Sequence, residues 1–292
     1  MMLKHVIFSS ALGALLFVFF LSYSLYKTPA QSPVQFPAEL TLDPSQIEAK
    51  AALVYDPAER RILFQKNASA SLPLASLTKL MAAQTVLSGK NKNTAVTITL
   101  ADIAPSGDWG FMVGDIIKLS DLVKMSLVAS SNDAMAAAAA SLGEDYMNQM
   151  NRTAGELGLS NTYFLNPTGL DLSDETSGAY GSAYDVARLA AAFMKKFPEY
   201  FALTAQEQVS IEDGKRTLSA KATALPLRGI PGFIGAKTGY TDLAGGNLVA
   251  AFDVDIGHPL ILVVLGSSEA GRFTDIETLI SASREAHNPT TP

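Results

Sequence analysis

Strand patterns lie towards both ends of the chain, and helix patterns lie between them. Two short strand patterns flank a turn near the beginning, and three longer ones, separated by glycine-rich turns, lie near the end: 51–55, 61–64, 233–238, 247–253 and 260–265. Because strands bury their apolar faces by pairing in a sheet, we expect the two groups to form one sheet. The sequence therefore predicts an α+β fold with a central antiparallel sheet of N- and C-terminal strands, flanking helices and a helical middle region.

Cap residues divide the middle of the chain into helices. Ser76 is suited to begin a helix that runs to about Leu87, and Ser88 with Gly89 is suited to end it, since serine is favoured at helix starts and glycine at helix stops. Further helices are predicted at 120–128, 133–142, 144–157, 182–196 and 274–285. The segment 130–132 interrupts two of them, so its polar side chains are expected at a break between helices.

Charge and residue types exclude several classes of protein. The 292 residues carry a formal net charge of −6 and show no cluster of Lys or Arg, which argues against a nucleic-acid partner. The absence of cysteine excludes a thiol nucleophile, disulfides and a cysteine zinc site. Of the three histidines, His5 lies before the apolar N-terminus and His287 in the polar tail, which leaves His258, in a Gly-His-Pro turn, as the candidate for a histidine base. A turn histidine is more often solvated, and a histidine metal site lacks partners. We expect no metal and no cofactor.

We expect the first 27 residues to be a membrane anchor or a signal segment. The run from Val6 to Tyr26 is almost continuously apolar, with Lys4 before it and Lys27 after it. Its length suits a membrane span, and its cleavage site is weak, so we favour an uncleaved anchor over a secretory signal. Residues 28–46 read as a proline-rich linker, 47–288 as the catalytic domain and 289–292 as a tail. Either N-terminal interpretation places the domain outside the cytoplasm.

Ser76 and Lys79 form the first candidate pair of the site. They are three residues apart on a predicted helix, so their side chains lie on one face, one turn apart. An amine beside a hydroxyl at the positive end of a helix can make a serine nucleophilic. Because both residues are common, the spacing by itself also arises by chance.

Two later segments supply polar partners for Ser76. Ser130-Ser131-Asn132 lies in the break between helices, and Lys237-Thr238-Gly239 lies on a predicted strand. Taken singly, the first is usually a helix cap and the second a surface strand followed by a turn. The order Ser-x-x-Lys, Ser-x-Asn, Lys-Thr-Gly is much more specific, since it is typical of penicillin-binding proteins and class A β-lactamases.

The chain resembles the low-molecular-mass penicillin-binding proteins of the D-alanyl-D-alanine carboxypeptidase family, peptidase family S11. The resemblance covers about 51–286 and rests on the blocks VYD at 54–56, LASLTKLM at 74–81, SSNDA at 130–134, FLNPTGL at 164–170 and GAKTGYT at 235–241. It implies a β-lactamase/transpeptidase-like fold. It also implies acyl transfer, in which the terminal D-alanine of a peptidoglycan stem peptide is removed and β-lactam antibiotics act as inhibitors.

The resemblance assigns the reacting groups. Ser76 would be the nucleophile, Lys79 its base, and Ser130 the relay that brings a proton to the leaving amine. Asn132 would bind the substrate amide and hold Lys79. A free lysine is protonated at neutral pH, and we expect burial and a nearby cation, Lys237, to favour the neutral amine.

The resemblance also assigns the groups that bind substrate. Lys237 and Thr238, on an edge strand, would bind the substrate carboxylate, and Gly239 would let the substrate backbone approach closely. The backbone N–H groups of Ser76 and Tyr240 would form the oxyanion hole. Arg272 resembles a family arginine that helps to hold the terminal carboxylate.

Three alternatives stay open. Relatives without a second domain include D,D-endopeptidases that cut cross-links, and this chain stops soon after the catalytic domain. A β-lactamase would need a glutamate for deacylation, and Tyr163 stands at that place before Leu-Asn-Pro. A non-catalytic module that binds cell-wall peptides is the third. The chain also departs from the family pattern at Ser131, where glycine or another small residue is expected.

Overall fold

The computed structural model describes residues 40–104, 108–213 and 215–287. The predicted anchor, residues 28–39 of the predicted linker and the tail lie outside these ranges. Among the residues described, no helix combines the length and the apolar character needed to cross a membrane. Leu40 is buried and its backbone N–H donates to the carbonyl of Leu63 (2.7 Å). The chain is therefore already in contact with its second strand at Leu40.

Twelve strands and eight α-helices are present in the described ranges. The strands are β1 Ala51–Asp56, β2 Arg61–Lys66, β3 Leu72–Pro73, β4 Ala95–Thr97, β5 Ile116–Lys118, β6 Tyr163–Phe164, β7 Ala179–Gly181, β8 Gln208–Glu212, β9 Thr217–Lys221, β10 Phe233–Thr241, β11 Gly245–Asp255 and β12 His258–Ser267. The helices are α1 Thr78–Gly89, α2 Leu100–Ile103, α3 Leu119–Val128, α4 Asn132–Ala140, α5 Tyr146–Glu156, α6 Ala183–Lys196, α7 Pro198–Leu203 and α8 Gly271–His287. Short 3-10 turns occur at Pro44–Gln46, Ala75–Leu77 and Leu225–Leu227.

The central sheet has five antiparallel strands in the order β10-β11-β12-β1-β2. Its closing pair joins the two ends of the domain, with Ala51 opposite Leu265. The predicted α+β architecture, with N- and C-terminal strands in one sheet, is confirmed. β10 forms one edge of this sheet, so one side of the strand that carries Lys237 has no neighbouring strand in it.

Both faces of the sheet are covered, which explains the long apolar runs in its central strands. Alternate residues such as Val249 and Val263 belong to the main core, which includes residues of α1, α3, α4 and α6. The residues between them are also buried. Helix α8 packs against β11 and β12, and its Ile276 and Leu279 are buried. The sheet therefore lies between helices, as the sequence predicted.

Helix α1 is buried on every side from residue 78 to residue 86. A helix that is enclosed all round lies in the interior of a protein, whereas an amphipathic helix lies at its surface. This position explains how Lys79, a residue type that is almost never fully buried without partners, has no exposed surface.

A buried carboxylate ties α8 to the start of the domain. Asp275 accepts hydrogen bonds from the backbone N–H groups of Glu48 (2.8 Å) and Ala49 (2.9 Å) and from the Ser267 hydroxyl (2.8 Å). These partners lie just before β1 and at the end of β12. Asp275 therefore fixes the last helix to both strands of the closing pair.

Some elements differ from the prediction. The chain enters α1 through a 3-10 turn at Ala75–Leu77, so Ser76 precedes the α-helix and is not its first residue. The hairpin of β8 and β9 and the short helix α7 were not predicted. The small sheet β3-β7-β6 and the pairing of β4 with β5 were not predicted either.

Candidate active site

Ser76 lies in a turn with an unusual backbone. Ala75, directly before it, is buried and has a φ of 48°, a conformation that costs a non-glycine residue free energy. The backbone N–H of Thr78 donates to the carbonyls of Ala75 and Ser76, which closes the 3-10 turn. Strain of this kind persists only where the surroundings impose it, and it is concentrated at functional sites.

The Lys79 amine is held by three oxygen atoms. Its Nζ lies 2.6 Å from Ser76 Oγ, 2.7 Å from Asn132 Oδ1 and 2.9 Å from the carbonyl oxygen of Thr168. A neutral amine has two N–H donors and one lone pair. The amide and carbonyl oxygens only accept, so they take the two donors, and the lone pair is left for the Ser76 hydroxyl. The geometry therefore orients a neutral Lys79 to accept the serine proton.

Burial lowers the pKa of Lys79 from its usual value to about 7. The cause is loss of hydration of the ammonium form, and the negative charge of Asp108 acts in the opposite direction. The expected role of burial agrees with this balance. Lys237 was expected to lower the pKa of Lys79, but the effect of neighbouring cations is seen on Lys237 itself. Burial is the main cause that holds the pKa of Lys237 well below its usual range, and the charges of Lys79 and Arg272 add to it.

Lys237 and Ser130 meet on the other side of the site. Lys237 has no exposed surface, and its Nζ donates to Ser130 Oγ (2.8 Å) and to the carbonyl of Thr238 (2.8 Å). Ser130 has a φ of 60°, so it too is a non-glycine residue in the left-handed region. Because Ser130 Oγ accepts from Lys237, its own O–H remains available for another acceptor.

The edge strand β10 passes directly beside the turn of Ser76. A Cβ placed on Gly239 would lie 3.0 Å from the carbonyl oxygen of Leu74 and 3.1 Å from the backbone nitrogen of Ser76. Only glycine allows this approach without displacement. Tyr240, the next residue, is 48% exposed, so its side chain is turned towards solvent.

The hydroxyl of Thr238 contacts a residue that was not predicted from the sequence. Thr238 Oγ1 lies 2.7 Å from the hydroxyl oxygen of Thr223, whose backbone N–H donates to the carbonyl of Val128 (3.0 Å). Thr223 follows the unpredicted β8–β9 hairpin, and no local sequence signal connects it with the site.

Arg272 lies in the first turn of α8 and reaches the same strand. Its Nη1 donates to the carbonyl of Gly239 (2.8 Å), and its guanidinium is largely buried, with Glu269 at 3.8 Å. The structure therefore places Arg272 at the site. All nine residues selected from the sequence lie in contact with one another or directly beside a residue that does: Ser76, Lys79, Ser130, Asn132, Lys237, Thr238, Gly239, Tyr240 and Arg272.

The loop at 166–170 supplies the third partner of Lys79. Asn166 Oδ1 accepts from the backbone N–H groups of Thr168 (3.1 Å) and Gly169 (2.7 Å), and its Nδ2 donates to the carbonyl of Leu170 (2.7 Å). A Cβ on Gly169, which has a φ of 82°, would lie 1.8 Å from the carbonyl oxygen of Ala75. This close packing presents the Thr168 carbonyl to Lys79. The loop belongs to the block FLNPTGL of the family resemblance, but none of its residues was assigned a role from the sequence.

No group of three or more His, Cys, Asp or Glu side chains suited to a metal ion occurs in the described part of the chain. The candidate chemistry is that of a buried amine and a hydroxyl.

Comparisons with known proteins agree on one family. Residues 38–269 match the family model of the D-alanyl-D-alanine carboxypeptidases, peptidase S11. D-alanyl-D-alanine carboxypeptidase DacC of Escherichia coli is 32% identical over 270 residues, 86% of this chain and 64% of that protein's length. A D-alanyl-D-alanine endopeptidase of Pseudomonas aeruginosa is 30% identical over 268 residues, 87% of this chain and 82% of that protein.

Solved structures extend the comparison to the fold. Ampicillin-bound penicillin-binding protein D2 of Listeria monocytogenes superposes with a TM-score of 0.70 at 28% identity, covering 81% of this chain and 97% of that structure. The chain thus spans less than two thirds of the carboxypeptidase DacC, but nearly all of this penicillin-binding protein structure. With a family model that matches most of its length, the chain belongs to the D-alanyl-D-alanine carboxypeptidase family, peptidase S11.

Proposed function

We propose that the chain is a serine D,D-peptidase, which removes the terminal D-alanine from peptidoglycan stem peptides through an acyl-enzyme on Ser76. One observation carries the proposal: the Lys79 amine, buried and with a pKa of about 7, lies 2.6 Å from Ser76 Oγ. An amine whose pKa lies near physiological pH and that is bonded to a hydroxyl is a suitable general base. The family of the chain supports the substrate class.

Acylation begins with proton transfer from Ser76 Oγ to Lys79 Nζ. The oxygen then bonds to the carbonyl carbon of the penultimate D-alanine, and the carbon–nitrogen bond to the terminal D-alanine breaks. Between these two events the carbonyl oxygen of the tetrahedral intermediate carries a negative charge. The backbone N–H groups of Ser76 and Tyr240 would stabilise this oxyanion. The close approach of Gly239 to Ser76 supports this assignment.

The leaving amine requires a proton, and Ser130 is placed to relay it: the Ser130 hydroxyl gives its proton to the amine, and the proton that Lys79 took from Ser76 replaces it. The Ser130 hydroxyl oxygen accepts from Lys237, so its proton is directed to another acceptor. Lys237, Thr238 and Arg272 bind the terminal carboxylate of the substrate. Burial and neighbouring cations lower the pKa of Lys237, and an incoming carboxylate would raise it again, so substrate binding favours the charged lysine.

The β-lactamase alternative has little support. Deacylation of a penicillin needs a group that activates water, and the two residues before Leu-Asn-Pro are Tyr163 and Phe164, neither of which is a glutamate. Tyr163 is 48% exposed and stacks on Tyr180 at 5.3 Å. A penicillin adduct on Ser76 is therefore expected to be long-lived. The non-catalytic alternative would leave the Ser76–Lys79 hydrogen bond without a purpose.

Cleavage of cross-links is the second candidate function. The similarity to a protein named D-alanyl-D-alanine endopeptidase favours it, because that relative is matched over 82% of its length. The same acyl-enzyme chemistry serves both reactions, and only the leaving amine differs.

We also propose that the domain at 47–288 acts outside the cytoplasm on the cell wall. Residues 1–27 would anchor it in the membrane or act as a signal segment, 28–46 would form the linker, and 289–292 the tail. Intact mass of the mature protein distinguishes an anchor from a cleaved signal, since cleavage removes roughly the first 30 residues.

The proposal is tested by mass spectrometry after brief exposure to a penicillin. We expect one stable adduct on the peptide that contains Ser76, and none in Ser76→Ala. In parallel, a stem pentapeptide should lose D-alanine, while a cross-linked dimeric peptide reports endopeptidase activity. A wild-type protein that forms no adduct and cleaves neither substrate would contradict the proposal and favour the binding module.

A further inference from the structure

Asp108 contacts the segment that carries Ser130 and Asn132. It is partly buried, and one carboxylate oxygen accepts from the Ser131 hydroxyl (2.6 Å) while the other accepts from the backbone N–H of Asn132 (2.6 Å). These distances are short, as expected for hydrogen bonds to a charged acceptor. Asp108 lies 24 residues before Asn132, so this contact is a tertiary one.

Asp108 is connected to the reacting groups through Ser131 and Asn132. Ser131 is the N-cap of α4: it is fully buried, and its hydroxyl accepts from the backbone N–H of Ala134 while donating to Asp108. Asn132 is the first residue of α4, and its amide oxygen accepts from Lys79. A carboxylate at a helix N-terminus is electrostatically favourable, so the charge of Asp108 stabilises this arrangement.

We propose that Asp108 is a positioning residue for acylation: its carboxylate fixes Ser131 and the backbone of Asn132, so that the Asn132 amide oxygen meets the Lys79 amine. This inference rests on the proposed function. The departure from the family pattern at Ser131 acquires a reason, because glycine or alanine there could not donate to Asp108. Ser130, which has a φ of 60°, directly precedes this attachment.

The charge of Asp108 also acts on Lys79. It opposes the effect of burial and raises the pKa of the amine. Lys237 and Arg272 supply the positive charges of the site. Loss of the Asp108 charge therefore lowers the pKa of Lys79 further. The acidic limb of the acylation rate, which reports conversion of Lys79 to its neutral form, should move to lower pH.

The experiment compares acylation rates of Asp108→Asn and wild type with a fluorescent penicillin across the pH range. We expect about a 10- to 100-fold slower rate, the range that small displacements of catalytic groups produce, together with an acidic limb displaced to lower pH. Asp145→Asn, an equal change at an exposed carboxylate near the start of α5, should leave both unchanged. A rate within about twofold of wild type, or a slower rate with an unmoved limb, overturns the proposal.

A double-mutant cycle tests whether Asp108 acts through Asn132. In an Asn132→Ala background, Asp108→Asn should have much less effect than in wild type, since the group that it positions is absent. Fully additive effects would contradict the proposal. If wild type forms no adduct at all, the proposed function fails and not this inference alone.

Folding of the variants is favoured by a second attachment of the same loop. Asp115 accepts from the backbone N–H of Met112 (2.8 Å) and from Arg216 (2.5 Å), so the loop keeps one fixed end without Asp108. If Asp108→Asn nevertheless unfolds, Ser131→Gly removes one of the two hydrogen bonds and keeps the charge. The variant also removes the cap on the Ala134 N–H, so its melting temperature is measured alongside the rate. It should slow acylation several-fold and leave the acidic limb in place; an unchanged rate would again overturn the proposal.

Discussion

Replacement of Gly169 by alanine should disturb the site through the loop at 166–170. The new Cβ would lie 1.8 Å from the carbonyl oxygen of Ala75 and 2.8 Å from Thr78 Oγ1, at a φ of 82°. A carbon and an oxygen atom in ordinary contact are about 3.3 Å apart. The loop must therefore move by roughly 1.5 Å, away from the turn that carries Ser76.

Two energetic effects add in this variant. The left-handed backbone costs alanine roughly 1–2 kcal/mol, and overpacking of a closely packed site costs about 1–3 kcal/mol. The free energy of unfolding should thus fall by roughly 2–5 kcal/mol, which for a domain of this size corresponds to a melting temperature about 5–15 °C lower. The movement also withdraws the Thr168 carbonyl from Lys79, so acylation should slow by about 100-fold.

Thermal unfolding and the rate of penicillin adduct formation measure the two effects. Gly155→Ala is the matched control, because Gly155 lies inside α5 without a positive φ and no atom lies within 4 Å of the added Cβ. It should be neutral or more stable by about 0.5–1 kcal/mol. The reasoning is refuted if Gly169→Ala melts and reacts like the control.

Three other perturbations test separate contacts. Adduct formation on the wild-type protein should accelerate with pH and reach half its maximum near pH 7, because Lys79 is a base only when neutral and its pKa is about 7; a rate independent of pH between about 5 and 9 would remove Lys79 from that role. Asp275→Ala leaves three donors without their acceptor and should lower the free energy of unfolding in urea by about 3–5 kcal/mol; a loss below about 1 kcal/mol would mean that water replaces the carboxylate. Arg272→Lys keeps the charge but loses the fixed geometry of the bond to Gly239, so D-alanine release should show a KM raised about 10-fold with little change in melting temperature; an unchanged KM would contradict a role in carboxylate binding.

The fold was predictable where the signal is local. The long apolar strands β11 and β12, the helix start at Ser182 and the helix end at Gly89 are patterns within a few residues, and the structure follows them. Gly89 is the last residue of α1, and Lys90 is its C-cap. The β8–β9 hairpin had a signal as well, since Val209 and Ile211 alternate with polar residues, but the strands are short. Short amphipathic strands are easily read as loops.

The site was predictable as a set of side chains and not as a set of backbone atoms. Ser-x-x-Lys, Ser-x-Asn and Lys-Thr-Gly are legible in the sequence, whereas the carbonyl of Thr168 is chemically the same as any other. The left-handed backbone at Ala75 has no sequence signal either, because alanine rarely adopts it. Asp108 was not among the residues selected from the sequence, since nothing local indicates a contact 24 residues away.

The pairing of β1 with β12 has a consequence for how the domain is made. Ala51 and Leu265 are opposite each other in the sheet, so this pairing is among the most remote in sequence that the domain contains. During synthesis, β1 emerges long before β12, with which it pairs. The segment of Ser76 likewise emerges long before β10, which carries Lys237. Pairings of this kind are slow to form and leave apolar segments exposed meanwhile. The nascent chain therefore carries its serine for most of its synthesis without the environment that makes the serine reactive, and its need for chaperones should be greatest over that interval.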